Sequence, residues 1–275
     1  MIQIITKLLG QSINILGLIA PRKSAHLALR LFSTPQKGRL SESQHKFMSS
    51  AKQKSLKVND LVAMTYHWPG SKDTVLLLHG WESNAARWKL FIKLLRSHDY
   101  DIVAIDGPAH GQSSGKRFNA LLYADFIKTV TETFRPKIII GHSVGGMAAV
   151  FCLHENNHLK VDKLVLLGSP AHFVGVLERY VDLMGYSNRV HRTIASEIEK
   201  KYGHGPEYFS AAEFAQDLNC NTLIIHDKDD AIIPYSDALL YSSNFKNSKL
   251  ISTEDMGHSL NNKTVHASII EFMLS

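Results

Sequence analysis

Lys137-Ile138-Ile139-Ile140-Gly141-His142-Ser143-Val144-Gly145-Gly146-Met147-Ala148-Ala149-Val150 sets a serine between a β-branched run and the start of a helical pattern. A G-x-S-x-G placed between strand and helix reads as a nucleophile elbow. The turn is tight enough to strain the serine backbone, and the flanking glycines remove the Cβ atoms that would clash. The serine hydroxyl then stands above the sheet, and the N–H of Val144 points where an oxyanion would form.

Outward from that stretch, apolar β-rich runs alternate with helical spacing from residue 58 onward. The pattern predicts strands over 61–68, 74–79, 101–106, 137–142, 163–169, 221–227 and 248–253. It predicts helices near 86–97, 119–133, 144–155, 235–244 and 264–273. Alternating βαβ units imply an α/β fold with a mostly parallel central sheet flanked by helices. Residues 170–221 break this rhythm, because they are too many for an ordinary crossover and contain the helical spacing Phe173, Val174, Leu177, Tyr180, Val181, Met184. A long insertion at the edge of such a sheet reads as a cap. The expected division is an N-terminal extension over 1–57, a core over 58–170 and 220–275, and a cap over 171–219.

The extension is basic and begins with an amphipathic helix. Residues 1–60 hold ten Lys or Arg against Glu42 and Asp60, and the rest of the chain is slightly acidic, for an overall charge of +6. Gln3, Lys7, Gly10, Asn14 and Gly17 recur on one side of residues 2–20, with Ile2, Ile5, Leu9, Ile13, Leu16 and Ala20 on the other. Its polar residues argue against a spanning segment, and no basic n-region or A-x-A-like site marks a signal peptide. Two expectations remain open for it: packing on the domain or in a homodimer, and peripheral membrane contact through residues 2–20. Nucleic-acid binding is not expected, since few aromatics are interleaved with the basic residues. Two cysteines, Cys152 and Cys220, imply no disulfide framework, so a reducing, cytoplasmic setting is expected, with membrane association left open. The fifteen histidines form no metal-binding motif, and no G-x-G-x-x-G follows the first strand, so neither metal nor cofactor is expected.

A serine hydroxyl becomes a nucleophile only when a base takes its proton and a third group orients that base. Two later segments offer partners. Leu223-Ile224-Ile225-His226-Asp227-Lys228-Asp229-Asp230-Ala231-Ile232-Ile233-Pro234 is a buried strand running into an acidic loop. Ser252-Thr253-Glu254-Asp255-Met256-Gly257-His258-Ser259 follows another strand and places His258 in a turn.

On these residues the chain resembles the α/β-hydrolase superfamily from about residue 58 to 275, with the order Ser…Asp…His. The resemblance implies catalytic Ser143, Asp230 and His258. Asp230 matches the family's D-x-x-[VI]-P acid; Asp229 is the alternative, and Asp227 and Asp229 otherwise read as a solvated acidic turn. Among the histidines the rival is His266, which falls in the predicted last helix. Val75-Leu76-Leu77-Leu78-His79-Gly80-Trp81 matches the family's H-G-x loop, which implies an oxyanion hole from the N–H groups of Trp81 and Val144. Asp106-Gly107-Pro108-Ala109-His110-Gly111-Gln112-Ser113 resembles the family's D-x-x-G-H-G-x-S loop, which implies a role in turn geometry near the elbow, and His79, His142, Asp106 and His110 are expected to be structural. Ser143 in place of an aspartate disfavours dehalogenase chemistry, and Val144 lacks the aromatic typical of perhydrolases at that position. The implied activity is hydrolysis of a small-molecule carboxylic ester, of small or apolar acyl group, through an acyl-enzyme. A thioesterase, a membrane-surface lipase and a receptor-like ligand binder are the alternatives.

Overall fold

The computed structural model describes the backbone of residues 2–275 and the side chains from Ile5 onward. The side chains of Ile2 and Gln3, assigned to opposite faces of the first helix by sequence, lie outside the described residues. Contacts divide the chain into two compact units, one built from the chain up to Thr34 with His172–Ser210, the other from Pro35–Ala171 with Ala211–Ser275.

The larger unit is an α/β layer structure. Among its described residues eight strands form one sheet: β1 (Lys52–Val58), β2 (Leu61–Trp68), β3 (Lys72–Leu78), β4 (Tyr100–Ile105), β5 (Ile138–His142), β6 (Lys163–Leu167), β7 (Asn221–Asp227) and β8 (Ser248–Thr253). Their order is β1-β2-β4-β3-β5-β6-β7-β8. β2 runs antiparallel to β1 and β4, and the pairs from β4-β3 through β7-β8 are parallel. The central strands read as continuous aliphatic runs because helices cover both faces. Val75, Leu76, Leu77 and Leu78 are all fully buried, as are Ile139 and Ile140.

Eleven helices are described: α1 (Ile2–Ile19), α2 (Pro21–Phe32), α3 (Glu42–Met48), α4 (Lys89–Ser97), α5 (Ala120–Phe134), α6 (Val144–Glu155), α7 (Phe173–Met184), α8 (Asn188–Tyr202), the single turn α9 (Ala211–Phe214), α10 (Tyr235–Asn244) and α11 (Lys263–Leu274). Phe91, Ile92 and Leu95 of α4 and Val265, Ile269 and Met273 of α11 join Val75, Leu77, Ile140, Val165 and Ile225 in one apolar core. Asn119 and Asn262 cap α5 and α11 by accepting from the backbone N–H of Leu122 and Val265, at 2.8 and 3.0 Å.

Seven of the strands lie where the sequence pattern puts them. β1 is additional, inside the segment read as a helical extension. Lys52-Gln53-Lys54-Ser55-Leu56-Lys57-Val58 is an edge strand whose first four residues are exposed, so it carries little apolar signal.

The smaller unit contains α1, α2, α7 and α8. Its core includes Ile13, Ala25, Ala28, Leu177, Val190 and Ile194, all at most 1% exposed. Asn14 clamps the α7–α8 turn: its Nδ2 donates to the Gly185 carbonyl and its Oδ1 accepts from the Ser187 N–H, both at 2.8 Å. A Cβ on Gly10 would fall 1.7 Å from the Met184 carbonyl oxygen, so this helix approaches its neighbour backbone to backbone.

Candidate active site

Ligands of open parallel sheets bind beyond the carboxyl ends of the strands, where the strand order reverses. The segments singled out by sequence lie at those ends: 79–81 after β3, 106–113 after β4, Ser143 after β5, Asp230 after β7 and His258 after β8.

Ser143 joins β5 directly to α6 at φ 53° and ψ −130°, a backbone that L residues rarely adopt. Three backbone hydrogen bonds hold it there: its N–H donates to the Leu167 carbonyl at 2.8 Å, and its carbonyl accepts from the N–H groups of Gly146 and Met147 at 2.9 and 3.4 Å. The turn closes only because its neighbours lack side chains. A Cβ on Gly141 would meet Gly146 Cα at 2.5 Å, and one on Gly145 would meet the His79 carbonyl oxygen at 2.5 Å. Val144 is the first residue of α6, so its N–H has no intrahelical partner.

His258 Nε2 lies 3.1 Å from Ser143 Oγ, and His258 Nδ1 lies 2.7 Å from Asp230 Oδ2. The other carboxylate oxygen, Oδ1, accepts from the backbone N–H groups of Ile232 and Ile233 at 2.8 and 3.0 Å. Burial alone would push the Asp230 carboxyl up, but the hydrogen bonds from His258, Ile233 and Ile232 hold it below the usual carboxylate range. An ionised Asp230 only accepts, so His258 Nδ1 carries a proton toward it, and in the neutral ring Nε2 is then the nitrogen left to accept from the serine hydroxyl. Asp229 is exposed, as expected for a turn acid.

Asp227, read from sequence as a solvated acid, is fully buried. It accepts from Thr253 Oγ1 at 2.7 Å, from the Met256 N–H at 3.0 Å and from the Asp229 N–H at 3.1 Å. It thereby ties the acid loop to the turn that carries His258. Gly168 is a second residue the sequence reading passed over. It has φ +54°, and a Cβ there would come within 3.3 Å of His258 Nδ1 and 3.4 Å of Asp230 Oδ2. The signal that could have found it is Gly168-Ser169-Pro170 directly after a strand, at the same end of the sheet as the serine.

The loop after β3 abuts the elbow: a Cβ on Gly80 would stand 2.8 Å from Ser143 Cβ. His79 is buried beneath it, with Nδ1 2.7 Å from the Gly80 carbonyl and Nε2 accepting from the Gly107 N–H at 2.8 Å. Burial, then the neighbouring His110, holds its pKa well below that of a free imidazole, so it links the two loops as a neutral ring. Asp106 accepts from the Tyr66 hydroxyl and from the Ala85 and Gln112 N–H groups, at 2.7, 2.9 and 2.8 Å. His110 accepts from the Glu82 N–H at 3.0 Å. Trp81 turns its half-open ring toward Phe118, with centroids 5.5 Å apart. His142 is bound to the opposite loop: its Nε2 lies 2.9 Å from the His258 carbonyl oxygen. His266 sits in α11 against Phe91, with ring centroids 4.8 Å apart. Among the described residues no group of three His, Cys, Asp or Glu side chains could hold a metal ion.

A family profile described as "alpha/beta hydrolase fold" matches residues 73–217, and the chain belongs to that family. It is 31% identical over 144 residues to the uncharacterized hydrolase YugF of Bacillus subtilis, covering 50% of this chain and 46% of that protein. Against serine hydrolase-like protein 2 of Homo sapiens it is 31% identical over 153 residues, 52% of this chain and 46% of the relative. The chain thus spans less than half the length of either relative. Among solved structures, an esterase from Exiguobacterium antarcticum superposes with a TM-score of 0.65 at 19% identity, over 82% of this chain and all of that one. That likeness is one of fold.

Proposed function

We propose that the protein is a serine hydrolase that cleaves carboxylic esters through an acyl-enzyme, with Ser143 as nucleophile, His258 as general base and acid, and Asp230 as the group that orients it. The observation that carries this reading is the unbroken line from Ser143 Oγ through the His258 ring to Asp230 Oδ2, at 3.1 and 2.7 Å. Nε2, left unprotonated by the Asp230 contact, takes the hydroxyl proton as Oγ attacks the ester carbonyl. Asp230 keeps the tautomer fixed and stabilises the imidazolium that forms. The carbonyl oxygen, now negative, accepts from the N–H groups of Val144 and Trp81. Loss of one such donor typically costs about 3 kcal/mol of transition-state stabilisation. His258 then returns its proton to the leaving alcohol, and water repeats the cycle on the acyl-enzyme. An apolar acyl group fits the half-open Trp81 ring, one residue from the Gly80 backbone that packs on Ser143.

The test is turnover of p-nitrophenyl esters of graded acyl length, with an acyl-thioester of matched chain in the same panel. Hydrolysis by the intact protein and its loss in Ser143→Ala is the expected outcome. Activity that survives Ser143→Ala overturns the assignment of the nucleophile, and preference for the thioester redirects the substrate class.

A further inference from the structure

The first helix packs in the opposite sense to its hydrophobic pattern. Gly10, Asn14 and Gly17, from its small and polar side, turn inward together with Ile13. A Cβ on Gly17 would meet Val190 Cγ2 at 2.9 Å, and Asn14 closes the α7–α8 turn, so that side is fixed within the unit. The large aliphatic side chains are left outside. Ile5, Leu8, Leu9, Ile15, Leu18 and Ile19 are exposed by 59%, 63%, 40%, 62%, 67% and 83%. At 3.6 residues per turn all of these but Leu18 share an arc of about 120°. A soluble surface seldom shows so many large aliphatic groups side by side, and such patches mark contact surfaces.

The charge around the face selects the partner. Up to Thr34, the part of the chain that belongs to this unit, there is no Asp or Glu, while Lys7, Arg22, Lys23 and Arg30 fall in that stretch; Arg22 lies 3.8 Å from Glu197. Segment 172–210 of the same unit balances five acids with five bases, so the excess positive charge belongs to the segment of α1 and α2. Among the described residues no helix is long and apolar enough to cross a membrane. Lys7, Gln11, Ser12 and Asn14 interrupt α1, and Asn14 is tied down on its inner side. A helix with one side fixed to its own unit, an aliphatic outer face and a cationic surround has the properties of an interfacial helix lying in the headgroup plane.

We propose that the outer face of α1 docks on an anionic lipid bilayer surface, with Ile5, Leu8, Ile15 and Ile19 entering the acyl boundary and the net positive charge of the α1–α2 segment, which includes the exposed Lys7 and Lys23, drawing it to anionic headgroups. The experiment is sedimentation of the full chain with phosphatidylcholine vesicles, with and without phosphatidylglycerol, at low and high salt. Binding to the anionic vesicles is expected, weaker by roughly tenfold or more on neutral vesicles and reduced by salt. Leu8→Asp/Ile15→Asp is expected to release the protein with an unchanged melting temperature, since both side chains are exposed. Lys7→Glu/Lys23→Glu, which leaves the aliphatic face intact, is expected to weaken binding to anionic vesicles alone. Three results would overturn the proposal: no binding of the intact chain to anionic vesicles, equal binding by Leu8→Asp/Ile15→Asp, or a dimer in light scattering that this variant converts to monomer. Because the readout is sedimentation, it stands or falls separately from the esterase reading.

Discussion

Ser143 occupies a backbone conformation that costs on the order of 1–3 kcal/mol and persists only where its surroundings over-determine it. Those surroundings are short in sequence: two glycines, the strand before and the helix after. That is why the residue was legible in the bare chain. His258 was legible for a similar reason, as a histidine after a glycine in a turn past a strand. Asp230 needed more, because Asp227, Asp229 and Asp230 differ little as letters and are separated by what binds them. Asp230 accepts from two backbone N–H groups and His258; Asp227 accepts from Thr253 and Met256 across to β8, contacts that only the folded chain creates. The prediction at this scale is that Asp230→Asn lowers kcat for a soluble ester by on the order of a thousandfold or more, since an amide there no longer enforces the Nδ1–H tautomer. Asp229→Asn, at an exposed position, should leave kcat within about twofold. A reversal of the two in steady-state kinetics would move the orienting acid by one residue.

At the scale of elements, helices and strands with one strong pattern appeared where the sequence put them. The exceptions are instructive. β1 pairs only on one side and shows mostly polar residues to solvent, so neither its period nor its hydrophobicity marks it. α1 carries a strong helical pattern, yet the pattern does not say which face turns inward. Gly10 and Asn14 settle that by close approach and by hydrogen bonds to a turn about 170 residues away in the chain. α11 supplies a prediction in pH. Burial, with the Arg87 guanidinium adding to it, lowers the His266 pKa to about 4 against an unfolded value near 6.5. Between those values the unfolded chain holds a proton that the folded one refuses, so stability is complete above about 6.5 and is lost as pH falls toward 4. His266→Gln should make the fall in melting temperature over that window shallower. Calorimetry at a series of pH values checks this, and an unchanged slope would contradict it.

For the whole molecule, the α/β class followed from alternating periods alone, because parallel sheets need covered faces and crossovers between strands. The grouping of residues up to Thr34 with His172–Ser210 was not available that way, since it joins segments far apart in sequence. The sheet also explains how residues 143, 230 and 258 meet. Each follows a parallel strand, and β5 to β8 lie in consecutive order, so their carboxyl ends share one edge. The central claim is that this edge performs acyl transfer through Ser143. It is tested most directly by treating the intact protein with a fluorophosphonate, digesting it, and locating the phosphonyl adduct by mass spectrometry. A single adduct on the peptide containing Gly141-His142-Ser143-Val144-Gly145, absent in Ser143→Ala and strongly reduced when His258 is replaced by Asn, is the predicted result. A protein that hydrolyses esters yet carries the adduct on another residue, or none, would contradict the account.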